Sequence, residues 1–588
     1  MKTTAHFGRL AFARVHTGLS VLAVLALLAA GGAAPRFAAA TSVVGSKHDL
    51  SVSGGALVKA ATESDVCIFC HTPHHASKDA PLWNRYSSGA FYTPYNSTTA
   101  KATVGQPTGA SKLCLSCHAG TVALGMVRSR DKPITLAGGA DRMPPGRANL
   151  GTDLSDDHPV SFTYDQSLLG RDKELKNPAA LPFAVKLDKS GQLQCTSCHD
   201  PHNNQYGDFL VENNSQSALC IACHDKDGWA TSDHRISGKR WNGQEPNPWP
   251  HTKEVTVAAN GCENCHTPHV AGTPPRLLNL AGEEQNCYPC HNGHVALKNV
   301  QAEFAKSSRH DVAATIGVHD PAEDAAEAPR HVECVDCHNP HAARAKGPSA
   351  TGLAGGLAGV PGVSAAGTVV AAASYEYEIC FRCHDNPGAG PMSAVARQSR
   401  QPNVRLQFAR SNASFHPVVA AGRNLDVPSL LSPYTAASTI QCTACHNNDQ
   451  GPNAGGQGPD GPHGSAYAPL LERNLAMTDF NAESPAAYAL CYKCHSRASI
   501  LGDESFPRHR LHVQDARTAC TTCHDPHGVN GNAQLINFNL NYVASSGKGG
   551  PQYLRAGRFQ GSCSLKCHGV DHDNQVYGVG VIEKKKAK

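Results

Sequence analysis

The sequence predicts a chain of irregular loops and short α-helices, with little β-sheet, folded around something other than its own apolar side chains. Three observations lead there. Gly and Pro number 54 and 38 among 588 residues while aromatics make up only 6%, too few large side chains for cores of the usual kind. No long apolar periodicity follows the N-terminal segment. One short unit, Cys-x-x-Cys-His, recurs until every cysteine is used.

The motif residues are Cys67, Cys70 and His71; Cys114, Cys117 and His118; Cys195, Cys198 and His199; Cys220, Cys223 and His224; Cys262, Cys265 and His266; and Cys287, Cys290 and His291. They continue with Cys334, Cys337 and His338; Cys380, Cys383 and His384; Cys442, Cys445 and His446; Cys491, Cys494 and His495; and Cys520, Cys523 and His524. A last unit, Cys563, Cys567 and His568, has one extra residue between its cysteines.

C-x-x-C-H is the attachment signature of c-type haem. Two thiols about one turn apart add across two vinyl groups on one edge of a porphyrin, and the adjoining histidine falls under the ring as the proximal iron ligand. The motifs take all 24 cysteines, leaving none for a disulfide or a free catalytic thiol, and they imply twelve covalently attached haem c groups. Zinc knuckles and redox dithiols also use C-x-x-C, but neither requires a histidine after every second cysteine. The expected fold is therefore irregular loops and short helices wrapped around a closely packed array of haems, with roughly 46 residues for each. The chain without its haems is expected to fold poorly.

In chain order, residues 1–40 read as a signal peptide: Lys2, Arg9 and Arg14 form a basic start, Leu19 to Ala30 an apolar core, and Ala38-Ala39-Ala40 a small-residue cleavage site. The apolar run is short for a membrane span, so cleavage and export are expected, to the periplasm, the outer membrane or the cell exterior. The formal charge of +4 falls to near neutral once Lys2, Arg9, Arg14 and Arg36 leave with the signal. Haem propionates then make the loaded protein acidic, which argues against a nucleic-acid partner.

Six haem pairs follow, over 41–165, 166–230, 231–300, 301–405, 406–500 and 501–588. In five of them the first motif continues as His-x-Pro-His, ending at His74, His202, His269, His341 and His527. In the fifth pair a Gly/Pro-rich loop intervenes before Pro462-His463. Ahead of the pairs lie His48, His158, His234 or His251, His310, His416, and His509 or His512. One histidine after each first motif and one ahead of each pair give one distal ligand per haem, so every iron is expected to carry two imidazoles. His75, His294, His319, His331 and His572 are left over, and Met126, Met143, Met392 and Met477 recur in no common setting. The Gly/Ala-rich stretch 347–373 reads as an insertion in the fourth pair, and Lys584-Lys585-Lys586-Ala587-Lys588 as a solvated basic tail.

On Cys67-Ile-Phe-Cys-His-Thr-Pro-His, Cys114-Leu-Ser-Cys-His-Ala-Gly-Thr-Val-Ala-Leu, Asp157-His158-Pro-Val-Ser-Phe and Cys195-Thr-Ser-Cys-His-Asp-Pro-His, the chain resembles the doubled-CXXCH multihaem c-type cytochromes. The resemblance spans about His48 to His572. It implies that the His-x-Pro-His histidines His74, His202, His269, His341 and His527 ligate a neighbouring haem rather than their own, with His463 displaced by its loop. It also implies haem pairs alternating between stacked and near-perpendicular contacts.

The function expected is an electron carrier in extracytoplasmic anaerobic respiration, without substrate chemistry of its own. Its expected partners are other multihaem cytochromes and an inner-membrane quinol pathway, with an outer-membrane or extracellular acceptor such as a metal oxide. A reductase of a nitrogen or sulfur oxyanion would need one open iron, for which the Cys563 to His568 site is the first candidate. A filament subunit or porin-bound conduit would need a histidine near a terminus, such as His48 or His572, to meet the next copy.

Overall fold

The computed structural model describes residues 42–578 except 57, 140, 315–318, 321–322, 324–330, 345–352 and 386–394. The signal segment, the basic tail, Met392 and the first part of the 347–373 insertion lie outside the described residues.

Irregular chain punctuated by short helices dominates. The longest described helices, Gly109–His118, Glu283–His291 and Glu376–His384, each end on the second motif of a pair. First motifs form a single turn, as at Cys195–Cys198, Cys334–Cys337 and Cys520–Cys523. The difference is local. The residue before a proline avoids the helical region, and the His-x-Pro-His continuation therefore stops the turn at its histidine. Where the sequence places Ser, Thr or Asp ahead of other helices, the side chain caps a backbone N–H: Asp165 accepts from Leu168, Ser232 from Arg235, Thr256 from Ala259 and Ser496 from Ser499.

Sheet is scarce. Two-residue antiparallel ladders join Phe162–Thr163 to Gln192–Leu193, Ser308–Arg309 to Gly464–Ser465, and Ser414–Phe415 to Gly528–Val529. The last two matter most, because they join the residues just ahead of His310 and His416 to those just after His463 and His527. Gly464 and Gly528 are glycines for a steric reason: a Cβ there would lie 1.9 and 2.1 Å from the carbonyl oxygens of Glu303 and Gln407. The exception to the scarcity is a four-stranded antiparallel sheet of Val543–Ala544, Gln552–Gly557, Gln560–Cys567 and Val570–Tyr577. It carries the last two cysteines, and nothing in the sequence reading placed it.

The apolar core is divided into small clusters, and motif cysteines belong to most of them. Ala60, Ile68, Phe69, Leu124 and Leu136 pack with Cys70 and Cys117; Phe162, Tyr164, Leu168 and Leu193 with Cys223; Trp249, Val257 and Val295 with Cys290; and Phe538, Val543 and Leu565 with Cys523, Cys563 and Cys567. A chain with so little apolar mass in any one place needs another body at its centre.

Candidate functional site

Five of the first-motif histidines are held in one orientation by backbone carbonyls. His199 Nδ1 donates to the Asp208 carbonyl at 2.8 Å, His266 Nδ1 to Arg276 at 2.7 Å, His338 Nδ1 to Gly356 at 2.8 Å, His446 Nδ1 to Pro469 at 3.1 Å and His524 Nδ1 to Gln534 at 2.9 Å. Occupying Nδ1 leaves Nε2 as the ligand nitrogen. The carbonyls are aimed by left-handed backbone immediately after them, at Phe209 (φ 58), Leu277 (φ 54), Leu470 (φ 60) and Leu535 (φ 61). Each such residue costs on the order of 1 kcal/mol. One-residue bridges from His199 to Leu210, His266 to Leu278 and His524 to Ile536 close these loops.

Opposite these rings stand other imidazoles. First-motif histidines face His-x-Pro-His histidines of the next pair: His71 and His202 (ring centroids 5.9 Å apart, planes at 22°), His199 and His269 (6.1 Å, 34°), His266 and His341 (6.2 Å, 8°), His338 and His463 (6.0 Å, 15°), and His446 and His527 (6.0 Å, 53°). Second-motif histidines face those ahead of their own pair: His118 and His48 (6.1 Å, 64°), His224 and His158 (6.2 Å, 77°), His291 and His234 (6.2 Å, 83°), His384 and His310 (6.5 Å, 66°), and His495 and His416 (6.5 Å, 58°). His524 faces His509 (6.5 Å, 41°). Two imidazoles bound on opposite sides of one metal at about 2.0 Å place their centroids roughly 6 Å apart. The side chains present therefore fit an iron between each of these eleven pairs.

Both kinds of distal histidine come from one joint. His48 Nδ1 donates to the Pro201 carbonyl at 3.4 Å, His234 Nδ1 to Pro340 at 2.8 Å, His310 Nδ1 to Pro462 at 2.9 Å, and His416 Nδ1 to Pro526. These prolines belong to the following pair's His-x-Pro-His segments. His158 meets the same joint through its backbone N–H, which donates to Pro268 at 2.8 Å. The upstream histidine of one pair and the His-x-Pro-His of the next thus dock as a unit.

Burial favours the neutral form of many of these rings. Desolvation lowers His48, His291, His384, His495, His509 and His527 to about 4 and His224, His341 and His463 to about 3, and the facing imidazole is the next contributor for most of them. Neutral imidazole is the form that binds a metal.

Cysteines connect successive motifs. The first thiols of one pair's second motif and the next pair's first motif are electrostatic neighbours: Cys114 of Cys195, Cys220 of Cys262, Cys287 of Cys334, Cys380 of Cys442 and Cys491 of Cys520. Within pairs burial pushes up the second thiols Cys70, Cys198, Cys337, Cys445 and Cys523, and the second thiols Cys117, Cys223, Cys383, Cys494 and Cys567 of the companion motifs add to it. At four joints a buried polar group in, or just ahead of, the second-motif helix clamps the next first motif. Ser111 Oγ accepts from Cys195 N (3.0 Å), Ser217 Oγ from Cys262 N (2.7 Å), Glu283 Oε1 from Val335 N (3.0 Å) and Glu376 Oε1 from Thr443 N (2.9 Å).

Two histidines expected as ligands are placed otherwise. His74 is exposed and faces no imidazole among the described residues. His568 is held through Nε2 by Asp479 Oδ2 at 2.7 Å and stacks on Phe480. Of the alternatives left open, His251 bonds the Glu263 carbonyl through Nε2 at 2.9 Å, whereas His509 and His512 each face another imidazole, His512 opposite His572. His319 and His331 stand together with Glu323, Glu333 and Asp336, apart from the motif histidines. The carbonyl-aiming segments were missed in the sequence, although they recur about eleven residues after the first-motif histidine as Pro-Leu-Trp-Asn (81–84), Asp-Phe-Leu-Val (208–211), Arg-Leu-Leu-Asn (276–279) and Gln-Leu-Ile-Asn (534–537).

No curated protein matches the chain. The doubled CXXCH motif family matches residues 189–228 and 256–296, the second and third pairs. With facing imidazoles repeated along the molecule, the doubled CXXCH motifs indicate a multihaem c-type cytochrome, a kind of protein whose general work is electron transfer.

Proposed function

We propose that this cytochrome carries electrons along a row of twelve haems, each iron closed by two histidines, in extracytoplasmic anaerobic respiration. The acceptor lies at or beyond the outer membrane and is of the metal-oxide type. Haem supplies a reversible one-electron change at its iron; the chain supplies spacing, ligation and shielding from water. The observation that carries the reading is the run of facing imidazoles. Eleven pairs of rings, from His48 and His118 to His509 and His524, stand with centroids 5.9–6.5 Å apart, so places for iron follow one another along the chain. An imidazole on each side of an iron leaves no position for a substrate, and bis-histidine ligation with partial exposure favours low potentials. Other multihaem cytochromes fed by a quinol pathway of the inner membrane are the partners this requires.

Low-temperature EPR of the oxidised, loaded protein tests it. Negligible high-spin ferric signal is expected. A high-spin fraction near one haem in twelve overturns the closed carrier and favours a reductase with one open iron.

One observation favours a second reading, a subunit of a filament or of a porin conduit. His74 belongs to a His-x-Pro-His segment, yet it is exposed and faces no imidazole among the described residues, so on this reading, in which the iron at the Cys563–Cys567 motif lacks a second imidazole of its own chain, His74 is available to that iron in a neighbouring copy. His74→Ala is then expected to shorten or abolish assemblies seen by sedimentation while leaving haem content intact. Unchanged assembly removes this reading.

A further inference from the structure

Two histidines that no motif claims, His319 and His331, lie ahead of the fourth pair's first motif in the sequence. The turn Cys334–Cys337 fixes two carboxylates beside them. Glu333 stands at its N-cap and Asp336 is its third residue, and Asp336 Oδ2 accepts from Glu333 N at 2.8 Å, which leaves Oδ1 for another partner. Glu283 brings His319 onto the same turn: its two oxygens accept from His319 N at 3.3 Å and from Val335 N at 3.0 Å. A third carboxylate, Glu323, comes from between the two histidines in sequence.

Five donor atoms converge there. His319 Nδ1 lies 3.2 Å from Glu323 Oε1, 3.6 Å from Glu333 Oε2 and 3.6 Å from Asp336 Oδ1, and His331 Nε2 lies 2.8 Å from Glu323 Oε1. The ligand atoms of His319, His331 and Glu333 all lie within 4.8 Å of one another. Nitrogen and oxygen ligands about 2.0–2.2 Å from a tetrahedral ion stand roughly 3.3–3.6 Å apart, which is the spacing around His319. Hydrogen bonding does not account for the cluster. The His319 and Glu333 side chains are each only 5% exposed, yet among the described residues neither His319 Nδ1 nor Glu333 Oε2 has a hydrogen-bond partner. An imidazolium held by these carboxylates would donate to one of them, and a buried carboxylate oxygen without a partner is unfavourable unless a cation meets it. The Arg382 guanidinium, 3.8 Å from Asp336 Oδ1, sets one positive charge against three carboxylates. The two rings stand 6.2 Å apart with planes at 49°, much as the facing pairs do. A haem does not fit between them, because Glu323 Oε1 lies within 3.2 Å of both ring nitrogens and the motifs take every cysteine.

We propose that His319, His331, Glu323, Glu333 and Asp336 bind one divalent transition-metal ion of the zinc kind, separate from the haem irons. Imidazole and carboxylate without thiolate form a nitrogen and oxygen donor set that zinc, iron(II) and manganese(II) accept. Five donors leave such an ion no open position, so its work is structural: it fastens His319 and His331 onto the attachment turn of the fourth pair. The site uses neither a motif cysteine nor a motif histidine, so it stands apart from the carrier reading.

The test uses the full-length loaded protein, stripped with a chelator that leaves the covalently attached haems in place and then titrated with zinc chloride. Wild type is expected to retain one zinc ion per chain through gel filtration, with a zinc-edge X-ray absorption spectrum that fits two imidazole nitrogens and otherwise oxygen. His319→Gln, Glu333→Gln and His331→Gln should each weaken zinc uptake by at least about tenfold, with haem content and low-spin EPR signals as in wild type. His331 is the more exposed of the two rings, so His331→Gln is the variant least prone to a folding defect, and the wild-type absorption spectrum needs no variant at all. The proposal is overturned by a stripped wild type that retains no zinc, by a spectrum with sulfur or fewer than two imidazoles around the ion, or by variants that bind zinc as wild type does, which would mark uptake by exposed histidines elsewhere. High-spin iron in the EPR of wild type would count against the carrier reading and leave the zinc result untouched, so the two failures are distinguishable.

Discussion

Replacing Gly261 by Ala would strike the joint between the second and third pairs. Gly261 follows the helix Val257–Asn260 with φ 53 and ψ −116, a conformation that disfavours any Cβ. A methyl group there would lie 2.5 Å from Ser217 Oγ and 3.1 Å from Ser217 Cβ, so Ser217 must retreat by about 1 Å to reach ordinary contact. Ser217 is wholly buried, and its hydroxyl accepts from Cys262 N at 2.7 Å while donating to the Asn260 carbonyl at 3.1 Å. Backbone strain of about 1–3 kcal/mol and a buried N–H left without its acceptor, about 1–3 kcal/mol, give a loss of roughly 3–5 kcal/mol. Because Cys262 and Cys220 are the neighbouring attachment thiols at this joint, the same movement should weaken electronic coupling across it. Chemical unfolding followed by haem absorbance reads the first effect, and the rate of internal electron redistribution after a reducing pulse reads the second. Adding Ser217→Gly removes the overlapping hydroxyl, so the double variant should lose about 1–2 kcal/mol less than the sum of the singles. Additive losses, or a Gly261→Ala midpoint equal to wild type, would refute the steric account.

Three further outcomes are expected. Arg85 is fully buried and donates to the Leu124, Ala123 and Ser116 carbonyls at 2.8, 3.0 and 3.3 Å; Arg85→Ala strands these acceptors and should cost about 3–5 kcal/mol in unfolding experiments, a loss under 1 kcal/mol contradicting it. Arg497, then Tyr492 and Gln514, hold the buried Glu483 carboxyl below its ordinary 4.5. A depressed folded value means stability present above about pH 4.5 and lost as pH falls through the lower folded value; Glu483→Gln should cost about 1–2 kcal/mol at pH 7 and little at pH 3, with equal losses at both refuting the linkage. His341→Ala removes the ring facing His266 and should convert about one-twelfth of the iron to high spin in EPR; an unchanged low-spin count would show that His341 is no ligand.

Much of the candidate site was legible because its chemistry is local. Thiol, thiol and imidazole within five residues need no tertiary structure to be recognised, and counting histidines against motifs singled out most of the rings that the structure sets face to face. Which ring meets which iron was not legible. His202 faces His71 and His341 faces His266 only because loops closed by Leu210 and Leu278 bring distant segments together, and such closure leaves no periodic trace. The choice between His509 and His512 was posed as exclusive, whereas each faces a different imidazole. The C-terminal sheet escaped because Cys563 to His568 imitates the attachment turn while sitting in a strand. Its extra residue is the sign that the local geometry had changed, since three intervening residues put both cysteines on one strand face and two would not.

The exchange of ligands between pairs has a consequence for how the molecule holds together. An iron bound at His199 would take its second imidazole from His269, and one bound at His266 from His341, so each pair is completed by the pair after it. Hydrogen bonds from His234 to Pro340 and from His310 to Pro462 run the same way. Such a chain has few apolar contacts to hold a pair folded by itself, and metal ligation becomes the long-range term in its stability. Closing the ligand pairs would also draw in the segments that carry the neighbouring thiols of Cys114 and Cys195, or Cys220 and Cys262. On the carrier reading, the bonds that would close each iron to substrate are therefore the ones that would set the distance to the next, and a change that frees one iron should also lengthen a step of the row.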